Sequence, residues 1–136
     1  MRVVLDTNIL LSALISRDSP PVRIYQAWRN GDFDLITTGT QLEELRRASR
    51  YPKLRAILEP HHVGRMINHL HRAVVVDRIP PLHEADDPND SWLLSLADIG
   101  KADFLVTGDK KAGLLSRGSV ASAQIVTATA FSKRFD

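Results

Sequence analysis

Four acidic residues occupy positions from which they could bind a metal ion together. Asp6 directly follows the apolar segment VVL, and Asp109 ends the segment FLVTGD. Glu44 and Asp90 lie early in segments that have the pattern of helices. Carboxylates that lie close together repel one another unless a cation compensates their charge. Oxygen ligands of this kind suit Mg²⁺ and Mn²⁺, so a divalent metal site is the chemistry to consider if the fold brings the acids together.

Alternating strands and helices would place these acids. The predicted strands cover residues 2–5, 33–38, 73–77, 102–107 and 124–128. The predicted helices cover residues 8–16, 20–30, 41–50, 60–72 and 88–100. Continuous apolar strands separated by helices are typical of an α/β protein, with a parallel sheet covered on both faces. Such sheets bind ligands beyond the carboxyl ends of their strands, so we expect the four acids to converge on one cleft there.

Composition limits the class of protein. A chain of 136 residues with 43% hydrophobic content predicts a single domain over residues 1–136. The chain has no cysteine, which excludes disulfides, thiolate zinc sites and cysteine nucleophiles. Asp6 and Asn8 interrupt the apolar N-terminus, which favours mature cytoplasmic sequence over a signal peptide. No apolar run approaches the roughly 20 residues of a membrane helix.

Several of the acids also have a purely structural explanation. Asp6 could cap the helix that begins near Thr7, and Asp87 before Pro88 has the pattern of a helix cap. Asp109 after Gly108 could be a turn residue. For Asp87 the capping role is the favoured interpretation, whereas for Asp6 capping and a functional role remain equally open.

Two adjacent glutamates in the helix at residues 41–50 can be separated by geometry. With about 100° per residue, Leu42 and Leu45 define the buried face and Glu43 points away from it. Glu44 flanks that face, from which its carboxylate could reach a cleft. We therefore predict that Glu43 is solvated and that Glu44 is the candidate site residue.

The ordered set LDTNIL, an EL pair, DPND and FLVTGD resembles the PIN-domain nucleases. The resemblance extends from residue 2 to about residue 110 and is greatest to the VapC-like toxins of prokaryotic toxin–antitoxin systems. It implies a three-layer α/β/α sandwich with the strand order 3-2-1-4-5. The acidic motif positions of the family correspond here to Asp6, Glu44, Asp90 and Asp109. Supporting polar positions correspond to Asn8, Asp87 and Thr107.

The resemblance implies a metal-dependent endoribonuclease that cuts single-stranded RNA and leaves a 5′-phosphate. Mg²⁺ is the expected cofactor, and Mn²⁺ would use similar ligands. We expect Asp6 and Asp109 to be the principal metal ligands, and Asp90 and Glu44 to hold metal waters or a second ion. The resemblance also implies a cognate antitoxin and a homodimer as partners.

The distribution of charge is compatible with a polyanionic substrate. The 18 basic and 16 acidic residues give a net charge of +2. With the four proposed site acids set aside, 18 basic residues stand against 12 acidic ones, a balance of +6. Candidate phosphate contacts are Arg46, Arg47, Lys110 and Lys111. For each single arginine a solvated helix face is the favoured interpretation, whereas the two lysines are the better candidates because they adjoin a proposed metal ligand.

Two other functions remain open from the sequence. One is a PIN-like module that binds RNA or a partner with little catalysis. The other is a metal-dependent phosphohydrolase of small phosphoesters, although an aspartate phosphatase would need a second acid at position 8, where this chain has Asn8. Apart from Lys110 and Lys111, the pattern assigns no role to residues 110–123.

Overall fold

The protein is described by a computed structural model that covers residues 1–108 and 111–136. Its strands are β1 (Arg2–Leu5), β2 (Asp34–Thr38), β3 (Val74–Val76), β4 (Phe104–Thr107), β5 (Ser119–Val120) and β6 (Ala123–Thr127). Its helices are α1 (Thr7–Ile15), α2 (Pro20–Arg29), α3 (Gly39–Ser49), α4 (Pro52–Arg55), α5 (Pro60–Leu70), α6 (Ser91–Ile99), α7 (Ala112–Arg117) and α8 (Ala128–Ser132). Short 3-10 helices cover Pro88–Asp90 and Lys133–Phe135.

Within the described residues, the six strands form one sheet in the order β3-β2-β1-β4-β6-β5. The first five strands in this order pair in parallel, and β5 pairs with β6 in antiparallel fashion. The predicted order 3-2-1-4-5 is confirmed, because β6 is the strand predicted fifth. The short β5 is an addition at the edge that the sequence pattern did not predict.

The sheet is covered on both faces, as its strands predict. Val3 and Leu5 of β1 pack into a core formed with α1, α2, α3, α5 and α8. Val4, which points to the opposite face, packs into a second core built mainly from α6. All three side chains are fully buried. Successive side chains of β1 therefore pack into the two cores on opposite faces of the sheet. This arrangement is the predicted three-layer sandwich.

The helix starts follow local signals in the sequence. Ser19 caps α2 with its side chain, and Pro20 stands in the first turn. Asp87 caps the 3-10 helix that leads into α6, with Pro88 after it. The helix predicted at residues 41–50 begins at Gly39, two residues earlier, and its buried residues include Gln41. In the described part of the chain, the helices are too short or too polar to cross a bilayer.

The C-terminal part contains elements that the sequence pattern left unassigned. Helix α7 ends at Gly118, whose φ of 78° suits glycine. The chain then makes a tight hairpin in which Val120 pairs with Ala123. Helix α8 follows β6 directly, and its buried Phe131 packs against Phe33 and Phe104. Leu114 of α7 and Phe131 of α8 pack into different cores, so these elements contribute to both faces of the sheet.

Candidate active-site cleft

A cleft of about 590 Å³ opens beyond the carboxyl end of β1. Five of the residues predicted as metal ligands or supporting polar groups line it: Asp6, Asn8, Glu44, Asp87 and Asp90. They come from the start of α1, from α3 and from the turn before α6, so residues more than 80 positions apart share one surface. The predicted Asp109 and Lys110 lie outside the described residues. The structure thus places these five predicted residues on one cleft.

Asp6 both caps a helix and lines the cleft. Its carboxylate accepts hydrogen bonds from the Thr107 hydroxyl at 3.0 Å and from the backbone N–H of Asn8 at 3.3 Å. The backbone N–H of Asp6 continues the sheet by donating to the carbonyl of Val106 at 2.9 Å. The structural and functional interpretations of Asp6 are therefore compatible, since one oxygen caps α1 while the residue remains at the cleft wall.

The ionised form of the Asp6 carboxylate is disfavoured by its surroundings. Burial, which leaves the residue 4% exposed, raises its pKa, and the nearby charge of Asp90 adds to the rise. The hydrogen bonds from Asn8 and Thr107, together with the charge of Lys111, oppose this effect but do not cancel it. A cation placed beside Asp6 would favour its ionised form.

Asp90 is buried to a similar degree but has an ammonium partner. The Lys111 Nζ donates to both carboxylate oxygens of Asp90, at 3.0 and 3.2 Å. Burial alone lowers the pKa of Lys111, but the hydrogen bond to Asp90 and the charges of Asp6, Asp90 and Asp87 outweigh it and raise the pKa. Lys111 was predicted to contact substrate phosphate, and that role stays a prediction. In the structure it neutralises Asp90.

Glu44 and Asp87 occupy the places that helix geometry predicts. Glu44 is half-buried on α3 and lines the cleft, whereas Glu43 is exposed. The Asp87 side chain accepts a hydrogen bond from the backbone N–H of Asn89 at 3.0 Å, which confirms its capping role. Asp87 nevertheless lines the cleft as well.

A buried polar network below the cleft was not predicted from the sequence. The Gln41 amide is fully buried and donates to the carbonyl of Leu5 at 2.6 Å. The Thr37 hydroxyl donates to the Gln41 carbonyl oxygen at 2.6 Å. Gln41 thus ties the start of α3, which carries Glu44, to the residue that precedes Asp6. Gln41 lies four residues before Leu45 and about 40° from it around the helix, and this spacing was the available signal that it flanks the apolar face.

The potential ligand atoms of the cleft are of the chemical type that a hard divalent cation prefers. Its potential ligands are the carboxylates of Asp6, Glu44, Asp87 and Asp90 and the Asn8 amide, with no histidine or cysteine among its described lining residues. However, within residues 1–108 and 111–136, no three acidic, histidine or cysteine side chains lie close enough together to hold a metal ion. Asp109, predicted as a principal ligand, is not among those residues.

Basic side chains reach the cleft on two sides. Arg47 from α3 and Lys111 before α7 both line it. Arg46 lies next to Arg47 and lines a neighbouring shallow groove instead. Of the four predicted phosphate contacts, two are therefore at the cleft, one is beside it, and Lys110 lies outside the described residues.

Comparison with known proteins identifies the family. A model of the PIN domain matches residues 2–111, and the chain belongs to the PIN domain family. PIN domains are generally nucleases and typically use divalent metals. The resemblance inferred from the motifs is thereby confirmed. No curated protein matches this chain in sequence.

Two solved structures are similar in fold. One is VapBC2 from Rickettsia felis bound to a DNA fragment from their promoter, with 17% identity and a TM-score of 0.61. The match covers 93% of this chain and 98% of that one. The other is the PIN domain of human SMG5, with 18% identity, a TM-score of 0.57, and coverage of 98% and 99%. At these identities the likeness supports the α/β/α fold alone.

Proposed function

We propose that this protein is a metal-dependent endoribonuclease that hydrolyses single-stranded RNA. The observation that carries this proposal is the convergence of Asp6, Glu44 and Asp90 on one cleft in a chain of the PIN family. The described ligands available in that cleft are oxygen atoms, which suits Mg²⁺ or Mn²⁺ rather than a softer metal.

Some side chains of the cleft would bind the metal, and others would hold those ligands in position. Asp6, with Asp109, would be a principal ligand, while Asp90 and Glu44 would act through metal waters or a second ion. A bound Mg²⁺ supplies Lewis-acid polarisation of the phosphodiester and activation of water. Thr107 and the N–H of Asn8 fix the orientation of the Asp6 carboxylate. The side chains of Asn8 and Asp87 would serve as supporting polar groups.

Basic residues would hold the substrate beside these acids. Arg47 and Lys111 line the same cleft as Asp6, so a phosphodiester bound there would contact positive and negative groups together. Lys110 and Arg46 would extend these contacts. Since phosphate binding by such residues releases counterions, RNA affinity should fall as the salt concentration rises.

We also propose a biological setting, the toxin of a type II toxin–antitoxin pair. Its support is the similarity in fold to a chain of the VapBC2 complex, together with the motif order described above. The expected partners are a cognate antitoxin and a second copy of this chain, and the expected location is the cytoplasm.

The test is cleavage of labelled single-stranded RNA by the purified protein, with Mg²⁺ or Mn²⁺ and with EDTA. We expect metal-dependent cutting with 5′-phosphate ends, and a loss of at least about 100-fold in Asp6→Asn and Asp109→Asn. The exposed Asp18→Asn provides a matched control, because it makes the same change outside the cleft. Cutting that persists in EDTA or in both site variants would refute the proposal.

A second candidate, an RNA-binding module with little catalysis, is favoured by two observations. Lys111 already neutralises Asp90, and no three-acid cluster is assembled among the described residues. Tight RNA binding that is insensitive to metal, without cutting at any metal concentration, would support this module. Turnover of small phosphoesters but not of RNA would instead point to a phosphohydrolase.

A further inference from the structure

A second concave surface lies between α3 and α5, away from the acids. It has a volume of about 470 Å³, and we call it the arginine groove. Its rim and floor are formed by residues of α3, α4 and α5 and the loop between the last two, including Arg46, Arg50, Arg55, Leu58, Val63 and Gly64. No acidic residue is among the described residues that line it. The groove is therefore suited to an anion.

The three arginines of this groove are available to bind an anion. All three are exposed, and within the part of the chain that the structure describes none forms an ion pair. Arg23, by contrast, lies 3.8 Å from the carboxylate of Asp136. Guanidinium groups bind phosphate oxygens in a bidentate manner, which makes a cluster of unpaired arginines a suitable phosphate site.

Gly64 leaves the α5 backbone accessible in the groove. Glycine is disfavoured in a helix interior, so its presence in α5 calls for a reason. Packing supplies that reason for Gly100, where an added Cβ would lie 2.8 Å from Ile36 Cγ2. At Gly64, an added Cβ would meet no described atom within 4 Å. The α5 backbone at Gly64 is therefore open on the side of the groove, where a bound molecule can contact it directly.

The floor of the groove is apolar where the rim is charged. Leu58, Val63 and Ile67 contribute to it, and each is at least nine-tenths buried in the main core. A nucleotide matches this combination, because its base can lie on an apolar surface while its phosphate contacts an arginine. The dimensions and chemistry thus fit a unit of a single-stranded nucleic acid.

The groove is continuous with the candidate active-site cleft. Arg46 and Arg50 also line a shallow depression of about 400 Å³, together with Glu43, Arg47 and Tyr51. Arg47 and Tyr51 in turn line the cleft that contains Asp6. The Tyr51 ring is largely exposed, so a base can stack on it between the two sites.

We propose that the arginine groove is a second binding site for the RNA strand, which holds nucleotides that flank the phosphodiester in the cleft. The proposal rests on the proposed function for the identity of the ligand. The strand passes from the acids over Tyr51 to the groove, where its phosphates contact Arg46, Arg50 and Arg55.

Charge reversal tests the rim. Binding of fluorescent single-stranded RNA is measured by anisotropy in EDTA, where no cutting is expected. We expect Arg50→Glu and Arg55→Glu each to raise the Kd about tenfold and to reduce its salt dependence. The control is Arg65→Glu, the same change on α5 in a residue that lines the separate groove beside Tyr25 and His69. Equal effects of all three variants would overturn the proposal.

Substitution of Gly64 tests the floor with variants that should fold well. Gly64→Ala should raise the unfolding midpoint by about 3 °C, because alanine is the better helix former. Gly64→Leu should also remain folded, since it projects into open space. We expect RNA binding to weaken a few-fold in Gly64→Ala and about tenfold in Gly64→Leu. Unchanged RNA affinity in a stabilised Gly64→Leu would overturn the proposal.

Failure of this proposal is distinguishable from failure of the proposed function. If RNA is cut equally well by wild type and by Arg50→Glu and Arg55→Glu at subsaturating substrate, the groove is not a substrate site although the nuclease stands. If RNA binds with the expected sensitivity but is never cut, the groove proposal holds without the nuclease. Binding of an acidic peptide in place of RNA, with the same sensitivity to Arg50→Glu, would overturn it.

Discussion

The two buried carboxylates of the cleft are stabilised in different ways. Asp6 accepts hydrogen bonds from a hydroxyl and a backbone N–H, which leave its negative charge uncompensated by direct contact. Asp90 accepts two hydrogen bonds from the ammonium of Lys111. Their exposures are close, 4% and 7%, so burial alone does not separate them. An incoming cation gains most at Asp6, whereas at Asp90 it must compete with Lys111.

The largest effect should come from removal of the ammonium. Lys111→Met leaves the Asp90 charge buried without a partner, which should lower the free energy of unfolding by about 2–3 kcal/mol in metal-free protein. The double variant Lys111→Met/Asp90→Asn should recover most of this loss. Chemical denaturation measures the free energy of unfolding of the single and the double variant, with the exposed Lys53→Met as the control. Simple additivity of the two changes would contradict the pairing.

The same variant should respond more strongly to metal. In Lys111→Met, Mn²⁺ has no competitor at Asp90, so we expect it to raise the unfolding midpoint more than in wild type. Thermal unfolding over a range of Mn²⁺ concentrations measures the difference. An equal shift in both proteins would show that Lys111 does not occupy a position that the metal needs.

A smaller effect should follow loss of the neutral donor at Asp6. Thr107→Val keeps the shape of the side chain but removes the hydroxyl that donates to the carboxylate. We expect a loss of about 1.5 kcal/mol in the free energy of unfolding, since the bond is to a charged acceptor. The exposed Thr129→Val is the matched control. A loss as large as that of Lys111→Met would erase the distinction between the two carboxylates.

The smallest effect should be a gain of stability in Asp6→Asn. Burial raises the pKa of Asp6, so its ionised form costs the folded state free energy at neutral pH. Asparagine should remove that cost and still cap α1, for a gain on the order of 1 kcal/mol in metal-free protein.

The pH dependence of this gain has a definite sign. Because the folded pKa is raised, the contribution of Asp6 to stability is fully present below its unfolded pKa and is lost as pH rises through the folded value. The advantage of Asp6→Asn should therefore be small in acid and grow toward neutral pH. Urea unfolding across this range measures it, and an advantage that shrinks as pH rises would contradict the assignment.

Much of the fold was predictable because its signals are local. The apolar runs that became β1 and β4 indicated buried parallel strands, and the cap at Asp87 with Pro88 located the start of the following helix. The strand order came from the family resemblance rather than from these patterns. The hairpin of β5 and β6 was missed in part, because a strand as short as Ser119–Val120 has no periodicity to detect.

The site was predictable in its acids but not in their partners. Asp6, Glu44 and Asp90 follow from their positions near strand ends and helix starts. The pairing of Lys111 with Asp90 depends on how the chain enters α7, which no local pattern determines. Gln41 was missed because it is polar, although its position four residues before Leu45 places it beside the apolar face of α3.

The two borders of the sheet have a consequence for handling the protein. One ends in the three residues of β3 and the other in the two residues of β5, as far as the described residues extend. Short outer strands offer few unpaired backbone groups to a neighbouring molecule. Concentrated solutions should therefore resist the strand-to-strand association that leads to fibrils, which a thioflavin assay can monitor.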